Sequence, residues 1–155
     1  MKYFEYLSAA KRHKQACRVL KEKIGTYEND SSNDENFNYL VLSLYYLSGY
    51  IIECSLKFKI LELSGFDSEL EVNHNECSKF GINYRREIKI HDFAKLQDVL
   101  DSKSTDITHE SDDTEIECLL VRWDPIVRYE NVSLDYQEVN SFHEHAVCFL
   151  RNVGI

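Results

Sequence analysis

The sequence predicts an all-α bundle of about five helices built round one long central helix. Three observations carry that expectation. Five glycines and one proline among 155 residues are too few for the many tight turns of a sandwich or barrel. Apolar residues recur at steps of three and four along most of the chain. Between residues 37 and 63 they close into a run too long for one strand. The length fits a single domain, residues 1–155.

The first helix is expected from about residue 3 to 25, where Tyr3, Leu7, Ala10, Cys17, Leu20 and Ile24 form an apolar stripe and Gly25 stops it. Lys11, Lys14, Arg18 and Lys21 share the opposite face at spacings of three and four. A solvated face is the plain reading of that ridge, and contact with phosphates the sharper one. The polar stretch YENDSSNDEN then reads as a loop.

Phe37 to Leu63 is apolar on all sides and is expected to be the central helix. Gly49 inside it signals close approach of a neighbouring helix, and Gly65 sits where a helix-ending glycine belongs. Glu53 and Lys57 stand four apart in the order that favours an ion pair along a helix. Residues 65–90 show no sustained period. Residues 91–100 bring Phe93, Leu96, Val99 and Leu100 to one side of a short helix, with Asp92 near its positive end. A fourth helix is expected from about Thr114 to Glu130, kinked at Pro125, with Ile116, Leu119, Leu120, Trp123 and Val127 inward. A last helix, capped by Ser133 and ended by Gly154, buries Val139, Phe142, Ala146, Phe149 and Val153.

Charge and cysteine usage narrow the setting. Cys17, Cys54, Cys77, Cys118 and Cys148 are odd in number and never spaced as C-x-x-C, which suits a reducing, cytoplasmic compartment. The first residues carry charge where a signal peptide needs an apolar run, and no uninterrupted apolar stretch reaches about 18 residues, so no membrane association is expected. The net charge of −9 hides an asymmetry. Residues 1–25 hold seven cations against Glu5 and Glu22, a local +5, whereas residues 98–117 hold eight acids against Lys103, a local −7.

Site chemistry is sparse. His74 and Cys77 lack the further ligands a closed zinc site needs, and no glycine-rich phosphate loop occurs, so neither metal nor cofactor is expected. His143 and His145 are two apart and point to different helix faces. Trp123, Tyr39, Tyr45, Tyr46, Tyr50 and Tyr129 could stack on bases, although aromatics on an apolar helix more often form core or dimer contacts.

Four features stand in a telling order: the basic first helix, Glu53-Cys54-Ser55-Leu56-Lys57 inside the long helix, His91-Asp92-Phe93 with Leu96 opening another, and Trp123 followed by Arg128-Tyr129. In this order the chain resembles HEPN domains, small helical bundles found alone or beside nucleotidyltransferases in prokaryotes. The resemblance implies a HEPN-like bundle serving a toxin–antitoxin or antiviral defence system. It implies a homodimer that binds RNA or a nucleotide, with a cognate nucleotidyltransferase or antitoxin as protein partner. Many such domains cleave RNA without a metal, using an Arg followed after four to six residues by a His. In RWDPIVRYE no histidine follows Arg122 or Arg128 within reach, while Arg86 precedes His91 by five, with Arg85 one further back. The catalytic candidates are therefore Arg86, His91 and Arg128, and the nucleic-acid-binding candidates Lys11, Lys14, Arg18, Lys21 and Arg85. A histidine moves a proton at the 2′-hydroxyl or the leaving oxygen, and a guanidinium grips the phosphoryl oxygens. The bland reading of His91-Asp92 is a helix cap. The alternative function is a non-catalytic homo- or hetero-oligomeric interaction module whose surplus apolar surface is covered by a partner.

Overall fold

Asp and Asn side chains start the helices of this chain. In the computed structural model, which describes residues 1–28, 31–104 and 106–154, the order is α1 (Phe4–Ile24), α2 (Glu35–Leu63), α3 (His74–Lys79), a π-helical turn (Tyr84–Ile88), α4 (Phe93–Asp101), α5 (Thr114–Arg122), a 3-10 helix (Pro125–Tyr129) and α6 (Tyr136–Val153). Every segment after α1 begins at a residue whose side chain accepts a first-turn N–H: Asp34, Asn73, Asn83, Asp92, Asp113, Asp124 and Asp135. Among the described residues the one extended pairing is an isolated bridge between Lys2 and Glu71. The all-helical architecture stands, with more and shorter pieces than the five expected. Residues 29 and 30, in the expected first loop, and residue 105, in the acidic one, lie outside the described residues.

Helix α2 is the axis. From Val41 to Leu61 it is buried on most sides, by α1 and α6 on one flank and by α4 and the 3-10 helix on another. By length and composition it could cross a membrane, yet most of it is buried inside this bundle. Gly65 closes it with φ +67, the left-handed turn that glycine adopts without a Cβ clash. Gly49 answers a different need: a Cβ built there falls 1.9 Å from the Trp123 indole. What approaches α2 closely is thus one aromatic ring, not a neighbouring helix backbone. The indole stacks on Phe93 (4.8 Å, 6°), meets Tyr50 edge-on (5.2 Å) and donates from Nε1 to the Tyr46 carbonyl at 3.2 Å.

Three expectations need correction. Residues 114–130 are not one kinked helix: α5 ends at Arg122, Trp123 and Asp124 are extended, and Pro125 opens the 3-10 helix. The residue before a proline is driven out of the helical region, so the break falls at Asp124. Ser133 is not the cap of α6, because Asp135 accepts the Glu138 N–H at 3.0 Å. Residues 74–79, read as irregular, form a short helix on an Asn73 cap, with Cys77 buried and His74 exposed. The expected apolar set of α6 (Val139, Phe142, Ala146, Phe149 and Val153) is buried as expected.

Two histidines are built into the interior. His143 Nδ1 pairs with Ser48 Oγ at 2.9 Å, and Ser48 also meets the Cys17 thiol at 3.8 Å. His109 donates from Nδ1 to Gln97 Oε1 at 2.8 Å, while Gln97 Nε2 holds the Ile107 carbonyl at 2.8 Å, so one buried amide ties the acidic loop to α4. His145 is half-buried and donates from Nε2 to the His109 carbonyl. Burial first of all lowers the pKa of both His109 and His143 to about 4; Lys21 and Lys14 add to this at His143, against Glu144, and His145 adds to it at His109, against Glu117 and Asp101.

Two stability experiments follow from this packing. Gly49→Ala forces a methyl into the indole and should lower the unfolding free energy by about 2 kcal/mol, read by urea titration. The histidines set an acid dependence. Below about pH 6.5 the unfolded chain binds protons that the folded interior refuses, so stability falls from there towards pH 4 and then levels, by up to about 3 kcal/mol for each residue. Urea midpoints between pH 7 and 4 should show a shallower fall for His143→Gln than for the wild type.

Candidate acid–base site on helix α2

Tyr46, Tyr50, Glu53 and Lys57 follow one another on α2 at steps of four, three and four, so they share one helix face. Lys57 Nζ donates to Glu53 Oε1 at 2.7 Å, the ion pair expected from the spacing. The spacing did not foretell its burial: the two side chains are only 4% and 6% exposed. A second donor lies on the other carboxylate oxygen, where His91 Nδ1 meets Glu53 Oε2 at 2.8 Å. A carboxylate only accepts, so Nδ1 carries the hydrogen of that bond. Among the described residues Nε2 makes no hydrogen bond, and the ring is 53% exposed. The result is a chain from Lys57 through Glu53 to His91 that begins in the core and ends in solvent.

The neighbourhood is built to hold that chain without competing with it. Asp92, next to His91, caps α4 by accepting the Lys95 N–H at 3.1 Å, which fixes the backbone that carries the imidazole. The cap expected of the His91-Asp92 pair is thus made by the carboxylate, and the imidazole is released for Glu53. Burial pushes the Cys54 thiol up to about 12, and the Glu53 charge adds to the effect, so this cysteine stays protonated and is no nucleophile. Burial likewise raises the Tyr6 phenol, with Tyr84 and Cys54 ahead of Glu53 as further causes. His13, whose ring lies 5.5 Å from that of Tyr50, is lowered by burial and by Arg12, against Glu53.

His91 faces an open cavity of about 420 Å³, whose wall includes Phe93, His109, Glu117, Trp123 and Arg122. Arg122 is exposed and forms no ion pair among the described residues. An imidazole with a free Nε2 and a guanidinium therefore border one space, beside the flat Trp123 ring. The guanidinium offers a donor fork for phosphoryl oxygens and the imidazole a proton acceptor, while Asp92, Glu110, Glu117 and Asp124 line the same space and make it acidic as a whole.

The other candidates lie elsewhere. Arg86 and Arg85 are exposed on the π-helical turn ahead of His91 and do not line the cavity. Arg128 sits over the Tyr129 and Tyr46 rings (4.5 and 5.7 Å), donating from Nη1 to the Tyr46 hydroxyl at 2.9 Å and from Nη2 to that of Tyr129. Of the basic ridge, Lys11, Lys14 and Arg18 border a groove between α1 and α6, whereas Lys21 is paired with Glu144. The roles of Glu53 and Arg122 were missed. The available signal was a carboxylate in the middle of an apolar run, a position that demands a partner. Comparison with family models, curated proteins and solved structures returns no match for this chain.

The buried pair sets a stability test. Lys57→Met strands the Glu53 charge in the core and should cost about 3–5 kcal/mol in urea unfolding. Glu53→Leu with Lys57→Met removes both charges and should recover most of that loss.

Proposed function

We propose that this chain is a HEPN-like RNA-binding protein that cleaves RNA phosphodiesters without a metal, with His91 as the proton-transfer group and Arg122 as the phosphate clamp. The observation that carries the reading is the hydrogen bond from His91 to buried Glu53 at the mouth of a cavity that Arg122 also borders. In the reaction, Nε2 of neutral His91 takes the proton of a ribose 2′-hydroxyl, and the 2′-oxygen attacks the adjacent phosphorus. The 5′-oxygen leaves with a proton returned by the imidazolium or by water, and a 2′,3′-cyclic phosphate remains. Glu53 holds the ring in one orientation and one tautomer, while Arg122 neutralises the phosphoryl oxygens as charge builds on them. Arg86 and Arg128 take supporting parts in this reading, and Arg85 contacts the RNA strand. The setting that goes with it is a prokaryotic toxin–antitoxin or antiviral defence system in the cytoplasm, with a homodimer and a cognate antitoxin or nucleotidyltransferase.

A second reading, a non-catalytic interaction module, is favoured by a different feature. Val121, Ile126 and Tyr129 are 79%, 57% and 74% exposed on α5 and the 3-10 helix, next to the cavity wall. Such apolar side chains are suited to cover by a second copy or a partner.

The two readings separate in one assay. Metal-free protein is incubated with labelled cellular RNA in chelator. His91→Ala and Arg122→Ala should each lower cleavage by about 10²-fold or more, whereas Arg86→Ala and Arg128→Ala should stay within about tenfold. No cleavage by the wild type, together with a stable dimer in sedimentation, would transfer the assignment to the interaction module.

A further inference from the structure

Helices α1 and α6 lie on α2 but scarcely pack on each other, and an open groove of about 380 Å³ runs between them. Both ends are tied. At one, Lys21 Nζ is paired with Glu144; at the other, Leu7 packs so closely on Gly154 that a Cβ there would meet its Cδ1 at 2.9 Å. The α1 residues that line the groove run from Lys11 to Arg18, a rise of about 10 Å at 1.5 Å per residue. Lys11, Lys14 and Arg18 rim the groove from α1 and Arg151 from α6, over a floor of Val147 and Leu150. No carboxylate lines it, in a chain whose net charge is −9. Lys11, Lys14 and Arg151 form no ion pair among the described residues.

Arg18 is paired with Glu22 at 2.5 Å, but Lys11, Lys14 and Arg151 are cations gathered without an acid of their own, and a negative occupant relieves their repulsion. The floor decides which kind of occupant. Single-stranded nucleic acid is held by aromatic rings on which bases stack, and no aromatic side chain lines this groove. A phosphate chain would engage the rim and leave the aliphatic floor bare. An amphipathic helix with acidic flanks satisfies both surfaces, and the groove takes about two turns of it, the span over which anchors at i, i+3, i+4 and i+7 fall.

We propose that the α1/α6 groove is the docking site for an acidic amphipathic helical segment of a partner protein. Its carboxylates pair with Lys11, Lys14 and Arg151, and its aliphatic stripe covers Val147 and Leu150. The assignment is independent of the cleavage reading and gives the first-helix ridge a protein ligand.

The test is fluorescence anisotropy of the full chain with a labelled synthetic peptide of about 16 residues, leucines on one helical face and glutamates flanking it. A scrambled peptide of the same composition and an RNA of about 12 nucleotides are run beside it. The amphipathic peptide should bind saturably, and about tenfold or more weaker to Lys14→Glu/Arg151→Glu; the scrambled peptide should show a similar loss on the wild type. The charge-matched control Lys23→Glu/Lys103→Glu, outside the groove, and His91→Ala should bind as the wild type does. Circular dichroism checks that each variant is folded. Absence of saturable peptide binding, equal binding of the scrambled peptide, or an equal loss in the control overturns the proposal. Groove-dependent RNA binding that the peptide does not displace would assign the groove to nucleic acid instead. Self-association of the wild type, lost in Lys14→Glu/Arg151→Glu, would assign it to a second copy.

Discussion

Helix α2 carries apolar side chains all round its axis, so covering one face does not suffice. Four of the other elements are packed directly against it to meet that requirement. Helices α1 and α6 take one flank, α4 and the 3-10 helix another, and the Trp123 ring fills the space that Gly49 leaves open. The arrangement also explains the grooves. Two helices laid on a common third are not obliged to pack on each other, and the gap between α1 and α6 is the space left over.

Glu53 and Lys57 lie within this covered stretch, both buried. A buried ion pair seldom adds net stability over apolar residues of the same size, because removing two charges from water costs as much as their attraction returns. Glu53 nevertheless uses both oxygens, one inward to Lys57 and one outward to His91. An imidazole in water turns freely about two bonds; held by a carboxylate that cannot move, it keeps one orientation and one tautomer. The cost of burial therefore obtains a fixed geometry at the surface. The same burial makes Cys54 unreactive, since desolvation and the Glu53 charge outweigh the Lys57 and Arg12 cations that favour the thiolate.

The charge asymmetry along the chain becomes spatial in the fold. The basic first helix keeps its ridge on the α6 side, where it meets Arg151, while Gln97 ties Ile107 and His109 of the acidic loop to α4. Two ridge members are neutralised, Lys21 by Glu144 and Arg18 by Glu22, which leaves Lys11 and Lys14 with Arg151 as a discrete cluster.

Local rules were sufficient for much of this. The apolar period of α1 and α6, the uninterrupted run of α2, the closing turn at Gly65 and the spacing of Glu53 and Lys57 follow from residue order alone, because each depends on neighbours within about one helical turn. Residue order also hid some boundaries: an aspartate two places beyond Ser133 made the better cap, and Pro125 ended a helix it was expected to bend. The site was legible only in pieces. His91 and the ridge cations stood out by type, but Glu53 meets His91 across 38 residues, and Arg151 joins Lys14 from the far end of the chain. The sequence by itself determined the helices and the residues able to do chemistry. Which of them share a cavity was decided by how α1, α4, α5 and α6 close round α2, since contact between distant residues is a property of packing and not of spacing.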